Sequence, residues 1–360
     1  MVREFKLGGF DVSRSAPPIF FAEVGSYFNG DAGLAMQLFE KIVTVRDAVP
    51  GAPVVLKTEI LDDPEICLPG DLVESYVDKA GNVKRENYRE LIERKAMPLA
   101  DYRPLFAYCR TNNMPTVVSV YDFKAADFSA AEGAAGLKIA SANIVHLPLI
   151  EHVASLGLPM VIDSGRSSLQ EVARAVECAR AAGCADIIVQ HSPDGHPARP
   201  EAHNLRILQS YDQCFGLPTG LSDHYVGVEM LYMAIALGAC VLEKGLYFNP
   251  DELDQDISHS MSIASFEAVL RTTLDCWTAL GNTWRNKGVA ITGNIGSSQR
   301  QGLVARRDLK PGDAVALENV RFAFPALGIG AEHWPIVKSW RLGTAVAQGQ
   351  PIGWKDVAAS

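Results

Sequence analysis

The sequence has no long apolar run and no excess of positive charge, and each absence argues against a class of function. A membrane-spanning helix needs about 20 consecutive apolar residues, and the chain contains no such stretch. Its start, MVREFKLGGF, has no signal-peptide core. The net charge of −9 argues against a general nucleic-acid or anionic-membrane surface. We therefore expect a cytoplasmic protein with neither a nucleic-acid nor a membrane partner.

Motifs that would mark a metal or a nucleophile are also missing. The seven cysteines are scattered, without CxxC or CxxH spacing, so the sequence indicates neither a disulfide framework nor a zinc site. HxH, HExxH and GxSxG patterns are absent too. Any activity has to be inferred from where polar residues fall in the predicted fold.

What the sequence does have is a regular alternation of strands and helices. Segments with apolar residues at three- and four-residue spacing, typical of amphipathic helices, include 31–48, 168–183 and 227–238. Between such segments, short β-branched runs recur eight times, at residues 18–25, 53–60, 115–122, 136–141, 159–165, 186–192, 218–224 and 239–245. An eightfold strand–helix alternation predicts the α/β class and a closed (β/α)8 (TIM) barrel.

Three segments depart from this alternation. Residues 61–86 are rich in Asp, Gly and Pro and follow the second strand, so we interpret them as a loop on the catalytic face that serves as a substrate lid. The predicted domains are the barrel, 1–281, a Gly- and Ser-rich linker, 282–300, and a small turn-rich domain, 301–360, with the turns KPGD and GQPIG.

Polar and charged side chains follow the apolar cores of all eight predicted strands. The carboxyl ends of barrel strands open onto one face, and burying such groups is costly unless they are paired or solvated. Their placement predicts an active site there. The residues are Glu23, Lys57, Glu59, Ser119, Lys138, Ser141, Asn143, Asp163, Ser164, Arg166, His191, Asp194, His196, Ser222, Asp223, His224, Glu243 and Lys244.

Lys57 and Lys138 come directly after the strand cores VVLK and GLK. A phosphorylated or carboxylated substrate would satisfy both ammonium groups. The alternative is that each lysine pairs with a barrel carboxylate such as Glu23 or Glu59. Hydroxyl donors nearby would be Ser141, Ser164 and Ser222.

Two histidines are candidates for the site, because His224 and His196 lie at strand ends beside Asp223 and Asp194. No pattern identifies them as metal ligands. The histidines on predicted helices or loops are not assigned to the site; they are His146, His152, His203 and His333.

Several segments resemble the sialic acid synthase family, whose members condense phosphoenolpyruvate with a hexosamine-type aldehyde to make nine-carbon sugar acids. The similar segments are AEVGSYFNG (22–30), LKIASANIVHLPLI (137–150), SGRSSLQEVARAV (164–176), GLSDHYVGVEMLYMAIALGACVLEKGL (220–246) and DQDISHSM (254–261). The tail VARRDLKPGDAVALENV (304–320) looks like the antifreeze-like (SAF, or β-clip) domain of that family. The resemblance covers most of the chain in order.

The resemblance implies a role for individual residues. Phosphoenolpyruvate would be held by Lys57, Lys138, Ser141 and Ser222, with Asp163 or Ser164 at the fifth-strand serine position. Glu23 and Asp256 would face the sugar, and His224 would be one of two histidines binding Mn²⁺ or Mg²⁺. The ion would polarise the aldehyde oxygen for attack by C3 of phosphoenolpyruvate, after which water attacks C2 and phosphate leaves. The small domain would cap the barrel of a partner, giving a domain-swapped homodimer.

Four departures from the family pattern concern the sugar and the metal. Gly245 replaces the second metal histidine, and Asn143 replaces a glutamate. Asp194 and His196 stand at the sixth-strand asparagine and tyrosine, and Phe324 replaces the arginine that a partner's antifreeze-like domain sends to the sugar. We infer a changed acceptor. His196, with an oxygen from Asp194 or Glu243, could rebuild the metal site; alternatively the metal is lost and His224 acts alone.

Three functions remain open, and we favour the first. It is a phosphoenolpyruvate-dependent condensation with a non-standard aldose or amino-sugar acceptor. The second is a ligand-binding or regulatory protein that has lost catalysis, and the third is a pyruvate lyase-type barrel with Lys138 as a Schiff-base nucleophile. The predicted catalytic residues are Glu23, Lys57, Lys138, His224 and Glu243. The predicted substrate-binding residues are Ser141, Asp163, Ser164, Asp194, His196, Ser222, Asp256 and Phe324, and the metal ligands are His224 and His196.

Overall fold

The chain divides into two compact units, Met1–Gly281 and Asn282–Ser360. The computed structural model describes residues 3–282 and 300–358. The predicted linker, 282–300, therefore lies almost wholly outside the described residues.

The first unit contains a closed barrel of eight parallel strands. Neighbours along the chain pair with one another, and the eighth strand pairs with both the seventh and the first, which closes the cylinder. This confirms the predicted (β/α)8 barrel. In chain order the strands are Ile19–Val24, Val54–Ile60, Thr116–Val120, Gly136–Ile139, Met160–Asp163, Ile187–His191, Thr219–Ser222 and Val241–Tyr247.

Helices surround the barrel and pack their apolar faces on the strands. Several of them have side-chain N-caps. The Asp31 carboxylate accepts hydrogen bonds from the backbone N–H of Gly33 and Leu34, and Ser168 forms a capping box with Glu171. The helices are Ala32–Ala48, Tyr88–Lys95, Leu99–Thr111, Phe123–Ala131, Leu147–Ser155, Leu169–Ala181, Pro200–His203, Ile207–Phe215, Glu229–Ala236 and Phe266–Leu280. No helix in the described ranges is long and apolar enough to cross a bilayer.

The amino-terminal end of the barrel is closed by apolar side chains. A short hairpin, Phe5–Leu7 and Phe10–Val12, packs Leu7 and Val12 against the inward side chains of the strands. Those side chains include Ile19, Phe21, Val55, Val117, Val161 and Ile188. Because this end is filled, the polar side chains at the opposite end are the ones that a ligand can reach.

The segment 61–86, predicted to be a loop that serves as a substrate lid, contains most of a β-hairpin that ends at Asn87. Strands Val73–Val77 and Val83–Asn87 pair antiparallel. Their turn is built by Asp78, whose carboxylate accepts from the N–H of Ala80 and Asn82. Two of the residues that suggested a loop, Asp78 and Gly81, therefore lie in the turn of a hairpin.

The hairpin is fastened over the carboxyl end of the barrel by one lysine. Lys79 Nζ donates to the carbonyl oxygens of Ser258, at 3.2 Å, and Ser260, at 2.6 Å, in the segment that follows the eighth strand. It also lies 5.3 Å from the ring centre of Tyr247. The position is consistent with the predicted lid, although a covering role stays a prediction.

The second unit is rich in turns and has a core of its own. Its short strands are Gly302–Ala305, Val320–Ala323, Arg341–Leu342 and Val357–Ala358, with one helical turn at Trp334–Val337. The core consists of Leu303, Ala305, Leu309, Val315, Val320, Ile329, Val337, Leu342, Val346 and Ile352. A small turn-rich fold was predicted for this part of the chain.

Candidate active site

A cavity of about 660 Å³ opens at the carboxyl ends of the barrel strands. Its volume is in the range of small-molecule sites. Seven of the eight strands contribute to its wall, and Ser192, directly after the sixth strand, contributes as well. Of the thirteen residues predicted to be catalytic or substrate-binding, ten line it: Glu23, Lys57, Lys138, Ser141, Asp163, His196, Ser222, His224, Glu243 and Asp256. The other three, Ser164, Asp194 and Phe324, are not among the residues lining it.

Two buried lysines stand in a ring of carboxylates on the cavity floor. Lys57 is paired with Glu23 on the neighbouring strand, and its Nζ lies 2.9 Å from Glu59 Oε1. Lys138 Nζ lies 2.9 Å from Asp163 Oδ2 and 2.6 Å from Glu243 Oε1. Both lysines are therefore compensated by protein carboxylates, which was the alternative in the sequence analysis.

Glu243 links the two halves of this ring. Its Oε1 is 3.8 Å from Lys57 Nζ in addition to its contact with Lys138. Ser222 Oγ donates to Oε1 at 3.0 Å, and Gln190 Nε2 donates to Oε2 at 3.1 Å. Both oxygens of the Glu243 carboxylate already form hydrogen bonds or ion pairs with these groups. Glu243 is therefore not available as the oxygen ligand of a metal.

The lysines stay charged in spite of their burial. Burial lowers the pKa of Lys138, but Asp163 and Glu243 raise it by more, and the net pKa is above its usual value. The pKa of Lys57 is also raised, because Glu23 and Glu59 outweigh the effect of burial. A Schiff-base lysine needs a neutral amine, so this environment argues against the pyruvate lyase alternative.

The carboxyl groups of the cavity differ in pKa. Burial raises the pKa of Glu59, but Lys57 lowers it by more, to about 2. Burial dominates at Glu23, whose pKa is raised although Lys57 opposes the effect. The pKa of Asp256 is raised well above its usual value by burial and then by the nearby Asp254 carboxylate. Glu23 and Asp256 are therefore the acids that can carry a proton here.

The fifth strand presents Asp163 rather than Ser164 to the cavity. Ser164 is buried on the other side, where Tyr211 donates its hydroxyl hydrogen to Ser164 Oγ at 3.0 Å. The sequence left both residues open for the serine position. Their alternation along the strand decides between them.

Asp194 was predicted to bind the substrate, but it does not line the cavity. Its carboxylate forms a 2.8 Å ion pair with Arg166 Nε, and the two side chains are 69% and 70% exposed. It is turned to solvent and is not available as a buried ligand. Phe324 lies in the second unit and is exposed; its role depends on a partner subunit and stays a prediction.

The stretch Ser222-Asp223-His224 divides between two environments. Ser222 and His224 line the cavity. Asp223 is buried outside it, where it accepts from Lys244 Nζ at 2.8 Å and lies 3.3 Å from His203 Nε2. Asp223 therefore anchors the end of the seventh strand, and His203, which the sequence analysis did not assign to the site, supports it.

Three imidazoles cluster on one wall of the cavity. The ring centres of His196 and His224 are 4.5 Å apart, and His259 lies 4.5 Å from His224 and 5.2 Å from His196. The sequence analysis missed His259. It falls within the segment DQDISHSM, which follows the eighth strand and resembles the family, and that was the available signal.

The three imidazoles are neutral near pH 7. Burial and then the Arg166 charge lower the pKa of His196 to about 4. Burial, followed by the neighbouring histidines, lowers the pKa of His224 and His259 well below its usual value. Neutral imidazole is the form that binds a metal.

A metal ion fits the chemistry of this cluster but not the present side-chain positions. Within the described residues, His259 Nδ1 is buried without a hydrogen-bond partner, and imidazole nitrogens suit first-row divalent ions. However, no three His, Cys, Asp or Glu side chains in residues 3–282 and 300–358 are arranged so that they could hold a metal ion. The predicted pair, His196 and His224, is therefore adjacent but is not a preformed site.

Comparison with known proteins agrees with the fold. The fold and the cavity define a TIM-barrel protein with a candidate active site at its strand ends, followed along the chain by a small turn-rich unit. Residues 63–285 match the NeuB family and residues 300–358 match the SAF domain. The chain belongs to the NeuB family, whose named members here are sugar acid synthases that form a carbon–carbon bond. The predicted family is confirmed.

Individual relatives are distant but cover nearly the whole chain. The N,N'-diacetyllegionaminic acid synthase of Legionella pneumophila is 27% identical, over 98% of this chain and 99% of that protein. The pseudaminic acid synthase of Helicobacter pylori is 24% identical, over 96% and 99%. The crystal structure of the N-acetylneuraminic acid (sialic acid) synthetase of Leptospira borgpetersenii has a TM-score of 0.68 at 21% identity, over 81% of this chain and 94% of that one.

Proposed function

We propose that the protein condenses phosphoenolpyruvate with an aldose or amino-sugar aldehyde to give a sialic-acid-like 2-keto-3-deoxy sugar acid. The observation that carries the proposal is the cavity floor, where Lys57 and Lys138 are held charged beside the hydroxyls of Ser141 and Ser222. Two ammonium groups and two hydroxyls suit a ligand with a phosphate and a carboxylate. The relatives named as sialic-acid-type synthases support the same reaction class.

The reaction forms one carbon–carbon bond and breaks one bond to phosphate. C3 of phosphoenolpyruvate attacks the aldehyde carbon, water adds at C2, and inorganic phosphate leaves. Ammonium charge on the cavity floor offsets the negative charge of the substrate anion. The aldehyde oxygen gains negative charge during the attack, and Glu23 or Asp256 can supply its proton, because burial raises the pKa of both acids.

The histidine cluster is where a first-row divalent ion such as Mn²⁺ would be held, by His224, His196 and His259. When bound, such an ion would polarise the aldehyde oxygen. His259 would replace the nitrogen that the family has at the position of Gly245.

The acceptor is proposed to differ from that of the sialic acid synthases. Asn143, His196 and Gly245 depart from the family pattern, and His196 and Asn143 line the cavity. We further propose a cytoplasmic, domain-swapped homodimer, in which Phe324 of each second unit approaches the barrel of the partner.

Phosphate release from phosphoenolpyruvate, measured across a panel of aldoses with and without Mn²⁺, tests the proposal. We expect release with at least one acceptor and its loss in Lys138→Met. The control is Lys6→Met, because Lys6 pairs with Asp11 on the exposed hairpin at the other end of the barrel. The folded protein could instead bind phosphoenolpyruvate and show no phosphate release with any aldose of the panel. That result would support a ligand-binding role, which is the function that Gly245 and Asn143 favour.

A further inference from the structure

The cavity floor contains more carboxylates than ammonium groups. Four carboxylates, those of Glu23, Glu59, Asp163 and Glu243, lie within 4 Å of the two lysines. All six side chains are at most 14% exposed. An anionic substrate that enters this ring has to displace at least one carboxylate from a lysine, since like charges in a buried site repel strongly.

The two lysines differ in the carboxylate that an incoming anion would displace. At Lys138, Asp163 replaces the serine that the family resemblance places on the fifth strand, so this chain has a charge where a neutral hydroxyl would contact the ligand. The Asp163 carboxylate is also held by the backbone N–H of Gly165. At Lys57, Glu23 is partly exposed to the cavity, and it can leave the lysine as a neutral acid.

We propose that the two lysines have separate tasks: the anionic group of the substrate binds at Lys57 as Glu23 takes up a proton, whereas Asp163 occupies the anion position at Lys138. Asp163 is then a specificity-determining residue, because it weakens the site for highly charged anions. The proposal rests on the proposed function, since it assigns the phosphoenolpyruvate anion to one of the two lysines.

The proton balance follows from the groups around Glu23. As the anion forms its contact with Lys57, the Glu23 carboxylate loses that contact and binds one proton from solvent. The protonation neutralises one negative charge of the protein for each anion bound. Burial already raises the pKa of Glu23 in the free protein, in opposition to Lys57. The charged and titratable groups that interact with it electrostatically are Lys57, Glu59, Lys138, Glu243, Lys244, Tyr27, Tyr121 and Asp256.

Sulfate is the probe of choice, because its charge does not change near neutral pH and its binding reports only on protein groups. We expect wild-type affinity for sulfate, measured by calorimetry from about pH 5.5 to about pH 8, to fall by up to tenfold per pH unit above the pKa of Glu23. In Glu23→Gln the affinity should be independent of pH. A merely structural role for Glu23 would not remove this dependence.

The second arm tests Asp163. In Asp163→Asn the affinity for sulfate and for phosphoenolpyruvate should rise by about 10- to 100-fold at every pH, as expected for one freed charge-assisted contact, while the pH dependence remains. Asp186→Asn is the matched control, since Asp186 pairs with Arg3 on the surface at the opposite end of the barrel; its values should equal those of the wild type.

The outcomes separate this inference from the proposed function. If the wild type binds sulfate and phosphoenolpyruvate with no pH dependence, or Asp163→Asn binds no more tightly, the division of tasks is wrong and the reaction class stands. If neither anion binds to the wild type or to Asp163→Asn, both the inference and the phosphoenolpyruvate-dependent function are wrong.

Discussion

Ser260 fills the space in which a side chain at Gly245 would begin. A β-carbon added to Gly245 would overlap Ser260 Oγ and lie 3.0 Å from Ser260 Cβ. The serine cannot swing away freely, because its hydroxyl donates to the carbonyl oxygen of Asp256 at 2.6 Å. The loss of the family histidine at position 245 is therefore matched by a packing change in the segment that also carries His259.

We predict that Gly245→Ala lowers the free energy of unfolding by about 1–3 kcal/mol, the usual cost of overpacking a buried site. Ser260→Gly in the same chain should recover most of this loss, because it removes the overlapping atoms. Urea unfolding of the two single variants and the double variant measures the coupling. Additive effects of the two substitutions would show that Ser260 does not occupy this space.

The acid side of the stability profile should depend on Glu59. Its pKa in the folded protein is about 2, below the usual value of 4.5, because Lys57 outweighs the effect of burial. The stabilisation is therefore complete above about pH 4.5 and is lost as the pH falls towards 2. We expect Glu59→Gln to be less stable than the wild type by roughly 3 kcal/mol at neutral pH, with the difference shrinking on acidification.

Urea unfolding from about pH 6 to about pH 3 checks this expectation. The control is Glu267→Gln, which removes an exposed carboxylate from an ion pair with Arg271 on a surface helix and should change stability by less than about 1 kcal/mol. A wild-type to Glu59→Gln difference that stays constant with pH would contradict the assigned ion pair.

The fold could be predicted from the sequence because each barrel strand is a short β-branched run between amphipathic helices. The strand-end rule also brought Glu23, Lys57, Lys138 and Glu243 to one cavity. The sequence could not show which lysine meets which carboxylate, since Lys138 and Glu243 come from strands on different sides of the barrel and meet only once it closes.

Residues at the last position of a strand or beyond it were harder to predict. The choice between Asp163 and Ser164 depends on which of two adjacent side chains points inward. His259 lies in an irregular segment after the eighth strand, where no periodicity indicates a direction. Asp194 follows the sixth strand closely, yet its loop turns it to solvent and to Arg166.

The predicted assembly is a homodimer that exchanges its second units. Exposed apolar side chains of that unit include Phe324 at 60% and Leu327 at 74%, and a partner's barrel would cover them. We expect light scattering at micromolar concentration to give the mass of a dimer. A monomer at that concentration would contradict the exchange.

Mixed dimers test the exchange directly. Lys138→Met should inactivate a barrel, and Phe324→Asp should impair the unit that caps one, because it places a negative charge where an apolar side chain would be covered. If the units are exchanged, a refolded mixture of the two variants regains turnover, because the intact barrel of one subunit is capped by the intact unit of the other. Without exchange the mixture stays as inactive as the separate variants.

The last prediction concerns the histidine cluster. His224, His196 and His259 have ring centres 4.5–5.2 Å apart, and all three are neutral near pH 7 because burial lowers their pKa. Small rotations of neutral imidazoles at this spacing can direct their nitrogens at one ion, whereas charged ones would repel it. We therefore expect Mn²⁺ to raise the melting temperature, since a ligand at about 100 times its Kd adds about 2.7 kcal/mol.

The shift should disappear in His224→Ala and in His259→Ala, and His196→Ala should weaken it. His152→Ala is the control, because His152 lies on the helix Leu147–Ser155 and contacts Asp127 at the surface; it should keep the full shift. If Mn²⁺ and a chelator leave the melting temperature of the wild type unchanged, the cluster binds no metal. His224 would then act as a neutral hydrogen-bonding group beside Ser192, whose Oγ is 3.5 Å from His224 Nε2.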